Sequence, residues 1–365
     1  MTALSEVRAQ NNRARIANAA LYYGVEDVRI ETIEIAQPGA DEVTIEVAYA
    51  GICGSDLHEY FSGQTVTPTS PHPLTGQGLP IVLGHEFSGT VVEVGTNVPT
   101  TRVGDRVVVR PTYSCGRCAS CDRGHPNTCS ELAFHGLNAS GGGLSTYTNV
   151  PSSMVFTLPE SVSLMQGALV EPMAVSSHGV QLGLQGGQVN TAFVGGAGMI
   201  GIGAVAALRA QGINEIIVAD LSETRRAIAT QIGATVVFDP REVDLVDVLD
   251  GRVLDLAIEA AGSAQVINTA IAALGPRGRL ILIGLHEAPT TFDPTTMLYR
   301  EVSMQGSSTY TNADYTSVIA AMESDSFGLD PASWVQTRSL EQLIPAFEAL
   351  RSGESIKILI DMHEK

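Results

Sequence analysis

"VGGAGMIG", residues 194–201, carries four glycines in eight positions, and its spacing is Gly196-x-Gly198-x-x-Gly201. An apolar run, "TAFV" (191–194), leads into it, and a helical run through Ala210 follows. Glycines at such a strand-to-helix turn let the backbone approach a pyrophosphate, and a helix N-terminus attracts that anion. The next apolar run, "EIIVA" (215–219), is closed by Asp220, 19 residues after Gly201. An acid there takes the ribose hydroxyls of a dinucleotide and repels a 2′-phosphate, which favours NAD. Gly196, Gly198, Met199, Ile200, Gly201, Asp220 and Arg225 are therefore candidate cofactor contacts. The alternative is a helix–strand packing turn without a ligand. Arg225 and the adjacent Arg226 can equally be read as an exposed helix face.

Downstream of this turn, strand and helix patterns alternate. "TRRAIATQI" (224–232) reads as helix and "TVVF" (235–238) as extended, while "LDLAIEA" (254–260) and "RLILIGL" (279–285) are continuous apolar strands. Strands buried on both faces read this way, and the alternation predicts a parallel, doubly wound sheet. A helix after Tyr310, an amphipathic helix through Leu340, Leu343, Phe347 and Leu350, and a strand "IKILI" (356–360) complete the chain.

Upstream the character is different. "VTIEVAY" (43–49) alternates as a half-buried strand does, and "GTVVEVG" (89–95) and "DRVVVRP" (105–111) are short strands bounded by turn residues. These predict a β-rich, barrel-like domain. "FSGQTVTPTSPHPLTGQGLP" (61–80) has four prolines and no period, and reads as a long surface loop.

The chain has 365 residues, which points to two domains. Its net charge of −18 argues against nucleic-acid partners. The first twenty residues lack the apolar core of a targeting segment, and no run suits a membrane span, so a cytoplasmic setting is expected.

"CGRCASCDRGHPNTC" (115–129) holds four of the five cysteines: Cys115, Cys118, Cys121 and Cys129. Four thiolates complete a tetrahedron around zinc, a closed and therefore structural site. Free thiols, disulfides or an iron–sulfur cluster are the other readings of this spacing. The fifth cysteine, Cys53, lies in "GICGSDLHEY" (51–60). "LGHEFSG" (83–89) and "LVEPMAV" (169–175) supply His85, Glu86 and Glu171. A catalytic zinc wants three ligands of these types and one open position.

In this order, "GICGSDLHEY", "GHEFSG", "GDRVVV", the four-cysteine stretch, "LVEPMAV" and "GGAGMIG" resemble the medium-chain zinc alcohol dehydrogenases over nearly the whole chain. The "GHE" and "VEP" forms resemble the polyol branch, which includes sorbitol and threonine dehydrogenases. The resemblance implies a GroES-like catalytic domain over residues 1–174, with a structural-zinc lobe at about 111–130. A Rossmann domain over 175–309 and a return to the catalytic domain over 310–365 would follow. It implies two zinc ions per chain. Cys53 and His85 would bind the catalytic one, with Glu86 or Glu171 as further ligand. Asp56 would orient His85, Ser55 would take the substrate proton and His58 would relay it. Gly54 departs from the basic residue that many relatives place there, which removes one pyrophosphate contact. The implied reaction interconverts a small vicinal diol and a hydroxyketone with NAD. A dimer or tetramer paired through 279–292 is expected. A polyol dehydrogenase of the sorbitol or threonine type, or a non-catalytic member of the fold, are the competing readings.

Overall fold

The computed structural model describes residues 14–63 and 66–364. Residues 1–13, read above for a targeting segment, and Gln64 and Thr65 of the proline-rich loop lie outside the described residues. The chain divides into two compact units. One runs through Glu171 and resumes at Val335; the other is Pro172–Trp334.

The first unit opens with a hairpin, β1 (Arg15–Gly24) and β2 (Asp27–Ile35), to which β4 (Ile81–Val82) adds a third strand. The sequence reading placed no element here, because the charges of β2 mask its period of two. The main sheet is built on β3 (Glu42–Gly51), which pairs antiparallel with β5 (Glu86–Val94) and β9 (Tyr147–Pro151). β6 (Arg106–Val109) and β10 (Val155–Thr157) extend it beyond β5. Val43, Ile45, Val47, Phe87, Val91 and Val107 fill its core. A small hairpin of β7 (Thr112–Tyr113) and β8 (Ala133–Phe134) flanks the cysteine lobe. Helices here are few: α1 (Gly54–Ser62), α2 (Ala119–Asp122) and α3 (Leu164–Gly167). Residues 66–80 form neither helix nor strand.

The second unit is entered along α4 (Val170–Leu184). Its sheet has the strands β11 (Thr191–Gly195), β12 (Glu215–Ala219), β13 (Val236–Phe238), β14 (Leu254–Glu259), β15 (Leu274–Leu282) and β16 (Ser303–Gly306). The order is β13-β12-β11-β14-β15-β16, and every pair is parallel. This is the doubly wound order, with its switch point beside the first strand. β11 is buried at every residue, as its unbroken apolar run requires. The connecting helices include α5 (Met199–Ala210), α6 (Glu223–Ile232), α7 (Leu245–Leu249), α8 (Ala264–Ala273) and α9 (Pro294–Arg300).

The second unit extends further than the expected 309. Helix α10 (Asn312–Glu323) belongs to it. Thr311 and Asp314 form the capping box of α10, and Asp314 Oδ2 lies 3.0 Å from His178 Nδ1 on α4. The first unit resumes at β17 (Val335–Ser339). Helix α11 (Leu343–Arg351) then leads to β18 (Lys357–Asp361), which pairs parallel to β17 and antiparallel to β3. The expected pairing segment 279–292 is also placed differently: β15 is interior, and β16 forms the sheet edge.

Candidate metal and dinucleotide sites

Cys53 ends the loop after β3 and is the N-cap of α1. Asp56 in the first turn accepts a hydrogen bond from the Cys53 amide at 2.9 Å, which fixes how the helix begins. A carboxylate in a first turn also suits the positive end of the helix. His85 and Glu86 lie at the start of β5, beside the end of β3, because Gly51 pairs with Glu86. Adjacent strands and one helix start thereby gather Cys53, His85 and Glu86, whose ligating atoms all lie within 4.8 Å of one another. Glu171 is buried in the first turn of α4 and lies outside that group. Its charge still reaches His85.

The surroundings of His85 test whether a metal fits. Its Nε2 lies 3.3 Å from Ser55 Oγ, and its Nδ1 lies 3.6 Å from Asp56 Oδ1. His85 Nδ1 and Asp56 Oδ1 are both buried and lack a hydrogen-bond partner among the described residues. They face each other just beyond bonding distance. A metal on Nε2 would make Nδ1 the donor to Asp56, the arrangement metal-bound histidines ordinarily have. Burial alone would push the His85 pKa down, but Asp56, Cys53 and Glu171 outweigh it and hold the ring well above its usual value. Burial pushes Asp56 up in turn, partly offset by His85. Both shifts say that this pocket favours an added positive charge, which zinc supplies as well as a proton does. The donor set fits the metal.

Lys357 completes the site, and the sequence reading passed over it. Its ammonium is 1% exposed, donates to the Ile52 carbonyl at 2.9 Å, and pairs with Glu86 Oε2. Gly51 makes room for the pair, since a Cβ there would collide with the Glu86 carboxylate. The signal was one cation inside the apolar strand "IKILI". Ser55, Asp56 and His58 all sit on α1, and Ser55 and His58 share a face at i and i+3.

The four remaining cysteines come together in the lobe, all four sulfurs within 4.8 Å of one another. Cys118 Sγ and Cys129 Sγ are 3.9 Å apart. Zinc–sulfur bonds of about 2.3 Å in a tetrahedron separate the sulfurs by about 3.8 Å. All four thiols are free, which removes the disulfide reading. Backbone amides of Cys121 and Ser130 hold the Cys118 thiol below its usual value, while burial and the neighbouring sulfurs push Cys121 up, so the thiols share protons that a cation would displace. Amides of Cys115 and Glu131 point at Cys129 Sγ, each at 3.3 Å. The lobe is built for thiolates, and thiolates so close together need a cation.

In the second unit, Gly198 is the N-cap of α5. A Cβ on Gly201 would lie 1.8 Å from the Gly196 carbonyl, so that glycine is needed for the turn itself. A Cβ on Gly198 would meet nothing within 4 Å. Its φ of −71° is ordinary too. Neither strain nor packing requires a glycine at 198, an N-cap position, and the open space there would admit a ligand at the helix start. Asp220 Oδ2 accepts from the Ala197 amide at 2.7 Å, and Oδ1 from Ser222 at 2.8 Å. The acid is thus locked against the glycine turn. Arg225 and Arg226 lie in the first turn of α6, and Ser222 caps that helix through the Arg225 amide. These residues fit a dinucleotide.

Comparison with known proteins adds independent findings. Residues 39–160 match the family model of the alcohol dehydrogenase GroES-like domain, and residues 200–324 match that of the zinc-binding dehydrogenase. The chain is 34% identical to an (R,R)-butanediol dehydrogenase of Neisseria gonorrhoeae, over 94% of this chain and 99% of that one. It is 35% identical to a sorbitol dehydrogenase of Bacillus subtilis, over 73% and 74% of the two chains. Among solved structures, the 2R,3R-butanediol dehydrogenase of Bacillus subtilis superposes with a TM-score of 0.87 at 34% identity, over 94% of this chain and 99% of that one.

Proposed function

The chain belongs to the medium-chain, zinc-binding alcohol dehydrogenases, and from that premise we propose that it interconverts a small vicinal diol and the matching hydroxyketone with NAD, 2,3-butanediol and acetoin first among them. The observation that carries the reading is the gathering of Cys53, His85 and Glu86 beside Ser55, in a chain similar to butanediol dehydrogenases over nearly its full length. When bound, zinc polarises the substrate hydroxyl and NAD takes up the hydride. Cys53 and His85 would hold the catalytic metal, with Glu86, the acid that groups with them, as further ligand. Asp56 fixes the His85 ring. Ser55 receives the hydroxyl proton, and His58, on the same face of α1, passes it to water. Gly198 and the start of α5 take the pyrophosphate, and Asp220 and Arg225 the adenosine ribose. Cys115, Cys118, Cys121 and Cys129 would hold a second zinc. Five cysteines outside any disulfide suit a reducing, cytoplasmic setting.

A sorbitol-type polyol dehydrogenase is the second reading, favoured by the sorbitol dehydrogenase of similar identity. A substrate panel on purified protein separates the two. The expected order is 2,3-butanediol and acetoin first, with sorbitol and L-threonine far lower in kcat/KM. Equal turnover of sorbitol would move the assignment. Cys53→Ala should abolish turnover, lower bound zinc by one ion per chain, and leave NADH binding intact. Full activity in that variant would remove Cys53 from the site.

A further inference from the structure

Four charged side chains crowd the carboxyl end of β12, and they pull the choice of cofactor in opposite directions. Asp220 disfavours a 2′-phosphate. Arg226 and Arg241, however, both lie against the backbone of residues 220 and 221. Arg226 Nη1 donates to the Asp220 carbonyl at 2.7 Å, and Arg241 Nη2 donates to the Leu221 carbonyl at 3.1 Å. Two guanidiniums at this place are what a 2′-phosphate would recognise, because arginine binds phosphate through paired, charge-assisted hydrogen bonds.

Asp239, just past the end of β13, decides whether they can. It is buried, and both carboxylate oxygens are engaged. Oδ1 accepts from Arg241 Nε and from the Arg241 amide, each at 2.9 Å. Oδ2 accepts from Arg241 Nη2 and, at 3.4 Å, from Arg226 Nη1. The Arg241 hydrogen bonds hold the Asp239 carboxyl well below the usual carboxylate range, so it stays ionised. Arg241 is 66% exposed and has no other anchor as strong.

We infer that Asp239 is a specificity-determining positioning residue: it keeps Arg226 and Arg241 clamped on the 220–221 backbone, so that neither takes a 2′-phosphate. Selection of NAD is then shared between Asp220, which repels the phosphate, and Asp239, which withholds the cations that would welcome it. The inference rests on the adenosine reading of Asp220 given above.

The test is equilibrium binding to the purified, zinc-loaded protein. NADH and NADPH are titrated by fluorescence, and 5′-ADP and 2′,5′-ADP by calorimetry, on wild type, Asp220→Ser, and Asp220→Ser with Asp239→Asn. Freeing the two arginines should tighten NADPH and 2′,5′-ADP about tenfold over Asp220→Ser alone, with NADH changing less than about twofold. Adding Arg226→Met and Arg241→Met together should abolish that gain. A double variant that melts with Asp220→Ser and shows no gain overturns the inference. Should Asp239→Asn not yield folded protein, Arg241→Met in the Asp220→Ser background replaces it. A withheld arginine contributes nothing, so NADPH affinity should move less than about twofold, whereas a loss of about tenfold would overturn the inference. If Asp220→Ser leaves both NADH and NADPH affinities unchanged, the adenosine reading fails first, and the role given to Asp239 falls with it.

Discussion

Lys357 shows how much one buried charge can decide. Its neighbours on β18, Ile358, Leu359 and Ile360, are fully buried core residues, and its own head group has left water as well. Such a cation is tolerated only with a partner, and Glu86 and the Ile52 carbonyl supply it. Breaking a buried pair by removing one side costs ~3–5 kcal/mol. Lys357→Met should therefore destabilise the zinc-free protein by that order in urea, and adding Glu86→Gln should recover most of the loss. Additive losses in the double variant would mean that the two groups are not coupled.

His135 is the second residue of this kind. It is fully buried, with Nε2 2.7 Å from Thr148 Oγ1 and Nδ1 3.3 Å from the Tyr113 hydroxyl. Burial pushes its pKa down to about 3. Below pH ~6.5 the unfolded chain takes up a proton there that the native chain refuses. The stability it contributes is complete above ~6.5 and is lost as pH falls toward 3, at about 1.4 kcal/mol per pH unit. His135→Gln should flatten the stability profile by that slope between about pH 6 and 4. An unchanged slope would exclude the assignment.

At the scale of elements, the turn between β11 and α5 separates two uses of glycine. Gly201→Ala should unfold or strongly destabilise the second unit, because the Cβ would meet the Gly196 carbonyl at 1.8 Å. Gly198→Ala should leave the melting temperature nearly unchanged and weaken NADH, because its Cβ enters space that only a ligand would fill. Calorimetry and NADH titration of both variants check the contrast, and equal effects on stability would refute it. The cysteine lobe behaves differently from the Cys53 site. α2 is four residues long and has no buried residue, so the lobe has little apolar core of its own. A metal held there would couple its binding to folding of the lobe, and structural zinc in small peptides is worth on the order of 10 kcal/mol. Cys118→Ala should lower thermal stability or cause aggregation, with activity falling only in step. A stable but inactive Cys118→Ala protein would reverse the roles of the two metal sites.

At the scale of the whole molecule, the sheet of the second unit ends in an edge strand, β16, paired on one side with β15 and open on the other among the described residues. Leu298 and Tyr299, just before it, are 73% and 82% exposed. An open edge with apolar neighbours is an invitation to pair with a second copy. Light scattering at micromolar concentration should show a dimer or tetramer, and Leu298→Lys with Tyr299→Lys should shift it toward monomer. A wild-type monomer at that concentration would count against pairing through this edge. Among the described residues no helix is long and apolar enough to cross a membrane.

Local rules made several features legible. The glycine turn, the apolar parallel strands and the four-cysteine spacing are each short in sequence, and their physics is short-ranged too: turn geometry, period and ligand spacing. Cys53, His85 and Glu86 could be nominated from the sequence because their motifs occur in a familiar order. That they lie within 4.8 Å, with Glu171 outside the group, followed only once β3 and β5 were paired. The same holds for Lys357, 271 residues from Glu86, and for Asp239 with its two arginines. Helix α10 was recognised as a helix, yet its place in the second unit rests on contacts distant in sequence, that of His178 with Asp314, 136 residues apart, among them. What the sequence alone determined is the set of elements and the chemistry on offer, because propensity and spacing act over a few residues. Which charges meet, and which of them cancel, was decided by strand pairing and burial, which join residues that no local pattern connects.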